Sequence, residues 1–399
     1  MTEDDLLLVL NAGSSSLKFG LYRAGATAPA RLARGQFRDL DSAARFVVQR
    51  GDEPAPRERP SPARTPEQAL AALLEWLAER YPGLRLAAAG HRVVHGGPRF
   101  AGPRRIDAAV LQDLRELVSL APLHMPHNLA GIEQLQRLRP ELPQVACFDT
   151  AFHHGLPLRE QCYALPREWH ARGVRRYGFH GLSYEYIAGR LPALLGAAAD
   201  GRVIVAHLGH GASLCALHRR RSQATTMGFT PLDGVPMATR PGQLDPGIPL
   251  WLQRQAGLDP AAVEDLLNHR SGLLGLSGIS GDMRELLHDP RPEAAEAIDY
   301  FVHHVHRAIA SLAAVLGGLD ALVFTAGIGE NAPLVRERIV REAHWLGLQL
   351  DAEANAENRA RISLPDSPVS VWVIPTDEEH QIAHHTRSLL TATAPGESP

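Results

Sequence analysis

Alternating hydrophobic and polar positions predict a β-hairpin near the start of the chain. Leu6 to Leu10 form an apolar run that a turn of Asn, Gly and Ser residues interrupts. Beyond the turn, Leu17, Phe19 and Leu21 occupy every second position, a spacing typical of strands. Residues 202–218 repeat this layout, with an apolar strand, a turn of small residues and a second strand. The repetition favours two domains of similar build.

Hydrophobic residues at helical spacing predict two prominent helices. Thr65 is the predicted N-cap of the first, with Pro66 at its first position and Gln68 closing a capping box. Its apolar face carries Leu70, Leu73, Leu74 and Leu77. A second, longer helix is predicted at residues 293–316.

Stretches rich in glycine and proline predict loops. Residues 31–64 have little periodicity, and the Pro- and Arg-rich tract 52–66 at their end is predicted as a surface loop. The segment 121–128 is predicted as a proline-rich loop that precedes a helix. Residues 225–249, which include Arg240, form a long loop of the kind that is usually functional.

The turn of the first hairpin has the composition of a phosphate-binding loop. Between Asn11 and Ser16 it offers backbone amides, hydroxyls and an amide side chain, and Lys18 follows. Phosphate oxygens need several short-range donors and a positive charge. Lys18 is the only lysine among 41 basic residues, and its compact ammonium suits a narrow pocket better than a planar guanidinium does. An ordinary hairpin with a solvated lysine is the alternative.

Polar side chains at predicted strand ends and in glycine turns are further candidates for binding and catalysis. Arg92 and His95 close one strand, Asp149 ends another, and His180 lies in a turn flanked by glycines. His91 and His95 would form a zinc pair only on a helix. We therefore disfavour zinc, since Val93, Val94 and the glycines around them indicate a strand.

The segment from Gly327 to Asn331 follows an apolar strand and precedes a helix, so its backbone amides could hold an anion. It also imitates a dinucleotide-binding fingerprint, with Asp351 where a ribose-binding acid is expected. We disfavour that interpretation, because such a motif normally lies in the first βαβ unit of its domain. The chain has no GxxxxGK[ST] motif, which excludes a P-loop NTPase.

Charge and cysteine content restrict the partners and the compartment. A net charge of −3 gives no basic footprint for nucleic acid or for a membrane. The three cysteines have neither disulfide nor metal spacing, which favours a reducing cytoplasm. The first apolar run, which follows the acidic residues Glu3 to Asp5, is too short for a signal peptide or a membrane span.

Eleven motifs, in order along nearly the whole chain, resemble those of the acetate kinase family: NAGSSSLKF, GHRVVHGG, APLH, FDTAFH, YGFHG, HLGxGAS, GFTPLDG, TRxGxLDPG, GISGDMR, GIGEN and PTDEE. The resemblance implies an α/β fold of duplicated RNase H-like (actin-like) ββαβα domains with an active-site cleft between them. The implied N-terminal domain comprises residues 1–149 and 380–399. Residues 150–379 are the implied nucleotide-binding domain.

The implied activity is reversible, Mg²⁺-dependent phosphoryl transfer from ATP to acetate, giving acetyl phosphate and ADP. Mn²⁺ is expected to substitute for Mg²⁺, and a cytoplasmic homodimer is expected. Two alternatives stay open: a propionate or butyrate kinase, and a non-catalytic ATPase module like actin or Hsp70.

The resemblance also assigns roles by position. The metal would be held by Asn11 and Glu378. The catalytic residues would be Asp149, His180 and Arg240. Arg92 would bind the substrate carboxylate, and the substrate methyl group would contact Val94, Leu123, Phe179 and Pro231. The nucleotide would be bound by Ser14, Ser16, Lys18, His207, Leu208, Gly209, His210, Gly211, Asp282, Met283, Arg284, Gly327, Ile328, Gly329, Glu330 and Asn331.

Asp149 is expected to orient Mg²⁺ through its bound waters rather than to act as a general base. A simple carboxylic acid has a pKa near that of a Glu side chain, about 4.3. At neutral pH acetate therefore has no proton for a base to remove.

Four positions depart from the family motifs. His210 and Met125 stand where asparagine is usual, and Pro241 and Gln243 stand where small or acidic residues are common. These departures leave the nucleotide and acyl-chain preferences open.

Overall fold

The computed structural model describes residues 4–25, 28–51 and 53–392, so Glu3 and Asp52 lie outside the described residues. The chain divides into two compact units, which we call unit 1 (Met1–Ala151 and Asp377–Pro399) and unit 2 (Phe152–Thr376). Residues 150–151 and 377–379 thus group with unit 1, whereas the sequence interpretation placed them in the second domain.

Unit 1 is built on an eight-stranded sheet with the order β5-β4-β3-β2-β1-β6-β8-β7. Its strands are β1 (Asp5–Ala12), β2 (Leu17–Arg23), β3 (Ala30–Arg38), β4 (Arg45–Arg50), β5 (Arg57–Pro60), β6 (Arg85–Val93), β7 (Arg104–Arg105) and β8 (Gln144–Phe148). Its helices are α1 (Pro66–Arg80), α2 (Ala108–Glu116), α3 (Met125–Leu138) and, at the C-terminal end, α15 (Glu378–Ala392). Leu8, Leu10, Phe19 and Leu21 of the first hairpin pack in one core with Leu70 and Leu73 of α1.

Unit 2 is built on a five-stranded sheet with the order β11-β10-β9-β12-β13. Its strands are β9 (Arg202–Leu208), β10 (Ala212–His218), β11 (Arg221–Thr225), β12 (Ala321–Thr325) and β13 (Ser370–Val373). Its helices are α4 (Leu158–Gln161), α5 (Arg167–Ala171), α6 (Gly181–Leu195), α7 (Gly247–Arg254), α8 (Pro260–His269), α9 (Gly272–Ser277), α10 (Met283–His288), α11 (Pro292–Leu316), α12 (Ala326–Asn331), α13 (Pro333–Glu342) and α14 (Ala352–Ala356).

The two sheets share one topology. In unit 1, the order β3-β2-β1-β6-β8 has antiparallel pairs up to β1 and parallel pairs beyond it. In unit 2, the order β11-β10-β9-β12-β13 has the same sequence of antiparallel and parallel pairs, with β9 in the place of β1. This match confirms the predicted duplication.

The loop prediction for the tract 52–66 is wrong for Arg57–Pro60, which form β5, and the weakly periodic residues before the tract contain β3 and β4. Phe46 and Val48 of β4 are buried, so buried and more exposed residues do alternate in this strand, but it is only six residues long. All four residues of β5 are exposed. An edge strand tolerates arginine and proline, since it needs no apolar face and only one hydrogen-bonded partner.

Several predicted helix and strand ends are shifted. α3 begins at Met125, inside the segment predicted as a loop, and the predicted glycine-rich turn at 327–331 is part of α12. The last strand, β13, ends at Val373, so the acids of the PTDEE motif lie beyond it. Thr65 caps α1 as predicted. The side chain of Gln68 accepts a hydrogen bond from the amide of Arg64, whereas in the predicted capping box it would accept from the amide of Thr65. In the described residues, no helix is both long and apolar enough to cross a membrane.

Candidate active site

Arg92 and Asp149 form an ion pair in unit 1 whose carboxylate is buried and whose guanidinium is partly exposed. They lie at the ends of the parallel neighbours β6 and β8. Arg92 Nε donates to Asp149 Oδ1 over 3.3 Å, Nη2 donates to Oδ2, and Glu378 Oε2 lies 3.8 Å from Nε. Asp149 is only 1% exposed, and this burial raises the pKa of its carboxyl to about 6, although Arg92 opposes the shift. The structure thus brings together one proposed catalytic acid, the proposed carboxylate-binding arginine and one proposed metal ligand.

Hydrogen bonds from the following segments fix the ends of these strands. Asn128 of α3 accepts from the amide of Val94 over 3.0 Å and donates to the carbonyl of Ala12 over 3.3 Å. Thr150 accepts from the amide of Gly96 over 3.0 Å. Asn128 therefore ties the end of β1 to the residue after β6. The sequence reasoning did not single it out, although it is the last residue of the segment 121–128 that was predicted as a loop.

The polar turn after β1 keeps its donors available. The amide of Gly13 donates to the carbonyl of Ser16 over 2.9 Å, which closes the turn. Ser14 is exposed, and Asn11 and Ser16 are half-buried, so a ligand can reach the polar groups of all three side chains. These groups fit the predicted role in binding phosphate and metal.

Lys18 lines a cavity of about 280 Å³ together with Arg34 and Glu379. Burial raises the pKa of Glu379 to about 7, against the opposing charges of Arg31, Arg34 and Lys18. The sequence interpretation did not assign a role to Glu379, although it is part of the PTDEE motif. The structure thus places the single lysine beside a carboxylate that titrates near neutral pH.

The asparagine and carboxylate set in unit 1 has the chemistry of a magnesium site. Mg²⁺ prefers oxygen ligands and is commonly held by one or two carboxylates. Asn11 is the penultimate residue of β1, and Glu378 begins α15. Asp149 and Glu378 are close enough for the charge of Glu378 to raise the pKa of Asp149. A cation beside these two acids would relieve that repulsion. The described residues contain no cluster of three His, Cys, Asp or Glu side chains with metal-binding geometry, so asparagine and phosphate oxygens would have to complete the set.

In unit 2, His180 and Arg240 converge on the turn between β9 and β10. His180 has a left-handed backbone (φ 58°) just before α6, and its ring stacks on that of His207 at 4.2 Å. A Cβ atom placed on Gly211 would lie 3.2 Å from His180 Nε2 and 3.3 Å from Arg240 Nη2. Arg240 also donates to the carbonyl of Pro231 over 3.0 Å. Glycine at position 211 therefore leaves room for two donors that approach the same point.

The predicted nucleotide segments meet at the same turn. A Cβ on Gly209 would lie 3.5 Å from Ala326 and 3.8 Å from the amide nitrogen of Gly327. Asp282 caps α10 and binds Arg284, which lowers its pKa, and the charge of His210 lowers it further. His210 thus lies within electrostatic reach of the Asp282 carboxylate.

The side chains of Glu330 and Arg336 hold α12 in place through hydrogen bonds. Glu330 Oε1 accepts from the amides of Ala326 and Thr376 over 2.8 and 3.1 Å. Arg336 is fully buried and donates to five acceptors: the carbonyls of Gly329, Glu330 and Asn355 and the side-chain oxygens of Asn355 and Asn358. Ala326 has a left-handed backbone (φ 66°), which costs about 1 kcal/mol or more outside glycine. These bonds offset that cost.

The role of Arg336 was not predicted from the sequence, because nothing in the local pattern of residues marks this arginine as buried.

The expected apolar contacts for the substrate methyl group fall in both units. In unit 1, Val94 is buried and Leu123 is 38% exposed. In unit 2, Phe179 is buried and Pro231 is half-buried next to Arg240. Their joint role as a pocket stays a prediction.

The departures from the family motifs have different surroundings. Met125 is fully buried at the start of α3 and acts as a core residue. Gln243 lines a cavity of about 420 Å³ with residues of α11 such as His304, and neither His180 nor Arg240 lines that cavity. His210 lies in the turn itself, so it is the departure that bears most directly on nucleotide binding.

Known proteins resemble this chain over nearly its full length. The acetokinase family model matches residues 6–384. An acetate kinase from Rhodopseudomonas palustris (strain ATCC BAA-98 / CGA009) is 54% identical over 387 residues, covering 96% of this chain and 97% of the relative. A crystal structure of a propionate kinase from Francisella tularensis subsp. tularensis SCHU S4 matches with a TM-score of 0.91 and 36% identity, covering 96% of this chain and 99% of that one. The crystal structure of Porphyromonas gingivalis acetate kinase matches with a TM-score of 0.88 and 35% identity, covering 97% and 100%.

Proposed function

The chain belongs to the acetokinase family, and on that premise we propose that it transfers the γ-phosphoryl group of ATP reversibly to acetate, giving acetyl phosphate and ADP. One observation carries the proposal beyond family membership. His180 and Arg240 approach the same point at Gly211, and a Cβ atom on Gly209 of the same turn would lie 3.8 Å from the amide nitrogen of Gly327. Two donors aimed at one point suit the charged oxygens of a phosphoryl group in transfer.

Unit 1 supplies the groups for the acceptor. Arg92 would bind the acetate carboxylate, since a guanidinium can donate two parallel hydrogen bonds to a carboxylate. Arg92 already makes such contacts to Asp149. Acetate is ionised at neutral pH, so its oxygen can attack phosphorus without a base. Asp149 then serves to hold Arg92 and to face the metal.

Unit 2 supplies the groups for the phosphoryl donor. Phosphoryl transfer depends mainly on positioning and on charge stabilisation, because the protein makes no covalent bond to the substrate. His180 and Arg240 would donate to the oxygens of the transferring group. The nucleotide would contact His207 to Gly211, Asp282 to Arg284 and Gly327 to Asn331, with Ser14, Ser16 and Lys18 of unit 1 on its phosphates.

We propose Mg²⁺ as the cofactor, with Mn²⁺ as a substitute, held by Asn11 and Glu378 and oriented by Asp149. The metal would neutralise charge on the phosphate oxygens. We also propose a cytoplasmic homodimer. Light scattering coupled to size-exclusion chromatography would test the dimer, and an elution mass near 43.4 kDa, that of one chain, would contradict it.

Propionate is the second candidate acceptor, because the propionate kinase structure matches with a TM-score of 0.91. One methylene group is worth about 1–3 kcal/mol of discrimination in an apolar pocket. We therefore expect kcat/KM to fall modestly from acetate to propionate and clearly from acetate to butyrate.

The test is ATP-dependent formation of an acyl phosphate, trapped with hydroxylamine, across acetate, propionate and butyrate. Equal or higher kcat/KM for propionate or butyrate would refute acetate as the preferred acceptor. ATP hydrolysis without any trapped acyl phosphate would favour the alternative of an ATPase module like actin or Hsp70.

A further inference from the structure

A buried chain of hydrogen bonds runs from Tyr184 through Ser213 to His180. The hydroxyls of Tyr184 and Ser213 are 2.5 Å apart, and Ser213 Oγ lies 2.9 Å from His180 Nδ1. Tyr184 and Ser213 are both fully buried. In the described part of the chain, each of these two hydroxyls has no further hydrogen-bond partner. Neither residue was singled out from the sequence, although Ser213 closes the motif HLGxGAS.

The chain of bonds can run in only one direction without leaving a buried hydrogen unpaired. If Tyr184 donates to Ser213 and Ser213 donates to Nδ1, every hydrogen has an acceptor. If instead Nδ1–H donated to Ser213 and Ser213 to Tyr184, the phenol hydrogen would have no acceptor. A buried donor without a partner costs about 1–3 kcal/mol. Burial also raises the pKa of Tyr184 well above its usual value, so the phenol keeps its proton.

We infer that Tyr184 and Ser213 are positioning residues that keep the proton of His180 on Nε2, so that Nε2–H donates to a phosphoryl oxygen at Gly211. The inference deepens the proposed function and rests on it for the identity of the acceptor. Nε2 and Arg240 Nη2 approach the same point at Gly211. A neutral imidazole can donate there without placing a second cation beside Arg240.

Kinetics of Ser213→Ala, Tyr184→Phe and the double variant test the inference. Losing a hydrogen bond of ordinary strength changes a rate by about tenfold. Ser213→Ala should lower kcat by roughly that factor and leave KM for ATP and acetate within about twofold. Tyr184→Phe should have a smaller effect. Because Tyr184 acts through Ser213, the double variant should be no slower than Ser213→Ala.

The control is Tyr177→Phe. It removes another buried phenol, whose hydroxyl donates to the carbonyl of Gly173, and it should retain the wild-type kcat. Loss of kcat in the control equal to that in Tyr184→Phe would contradict the inference, because a general packing defect would then explain both.

The protonation of the ring is measured directly by ¹⁵N NMR of histidine-labelled protein without substrate. The signals of His180 are identified by their loss in His180→Gln. We expect the wild type to show a proton on Nε2 and none on Nδ1, and Ser213→Ala to gain the Nδ1–H form. Tyr184→Phe should show part of this change, so the inference stays testable if Ser213→Ala does not fold.

Two results would overturn the inference: a wild-type His180 protonated on Nδ1, or an unchanged ring and kcat in both single variants. Absence of acyl phosphate formation by the wild type would instead refute the proposed function. The NMR measurement needs no turnover, so the two failures are distinguishable.

Discussion

Replacing Asp149 by asparagine should remove most activity and yet relieve an electrostatic cost in the folded state. Asp149 is 1% exposed, and burial outweighs the attraction of Arg92, so that the pKa of this carboxyl rises from 3.8 to about 6. An acid with a raised pKa binds its proton more tightly in the folded than in the unfolded chain. Its contribution to stability is therefore present at low pH and is lost as the pH rises through the folded-state pKa.

The size of this loss of stability follows from the shift in the pKa of Asp149. One pKa unit corresponds to about 1.4 kcal/mol, so a rise of about two units costs at most about 3 kcal/mol above pH 6. Between pH 4.5 and 7.5 the linkage relation gives a loss of about 2 kcal/mol for the wild type. Asp149→Asn lacks the titrating group. Its free energy of unfolding relative to the wild type should rise by about that amount over this interval.

Urea unfolding at a series of pH values, in metal-free buffer with EDTA, measures this difference. Asp39→Asn is the control, because Asp39 is an exposed carboxylate at a left-handed position that asparagine also adopts. The stability difference of Asp149→Asn from the wild type should rise more steeply with pH than that of Asp39→Asn. Equal pH dependence of the two differences would refute the reasoning, since it would mean that Arg92 and not burial dominates the pKa of Asp149.

Three further predictions concern cations of the candidate site. Lys18→Arg should raise KM for ATP because a planar guanidinium does not fit the place of a compact ammonium, and wild-type kinetics in that variant would show the lysine to be incidental. Arg240→Ala should lower kcat by on the order of 10³, while Arg92→Ala should mainly raise KM for acetate; identical profiles with loss of nucleotide binding would contradict both roles. Arg336→Lys leaves at least two of five buried acceptors unpaired and should cost about 2–4 kcal/mol in urea unfolding. Its control is Arg338→Lys, on the exposed side of the same helix, and equal stability of the two variants would contradict the role of Arg336.

The local pattern of apolar residues was sufficient to predict a strand or helix that has a clear apolar face. The first hairpin, α1 and the repeated hairpin at 202–218 were predicted because their apolar residues recur at strand or helix spacing. β5 has no buried residue, so no periodicity could mark it. α12 contains two glycines in six residues and is held by tertiary bonds from Arg336 and Glu330, which local propensity cannot show.

The candidate site was predicted as a set of residues but not as a set of contacts. Asp149 and Arg92 were both named from strand ends, and their parallel strands explain why they meet. Their mutual ion pair was not predicted, since pairing depends on side-chain direction and burial. The bond from Ser213 to His180 joins residues 33 positions apart, and its direction depends on a third residue, Tyr184. Such a network becomes visible only when the fold has brought the strand and the helix together.

The most direct test of the proposed activity is the fate of the γ-phosphoryl group, followed by ³¹P NMR with purified protein, ATP, Mg²⁺ and acetate. We expect acetyl phosphate and ADP to appear in equal amounts, and no acyl phosphate when acetate is omitted. Formation of ADP and inorganic phosphate without acetyl phosphate, at a rate independent of acetate, would contradict the assignment of this chain as a kinase that phosphorylates acetate.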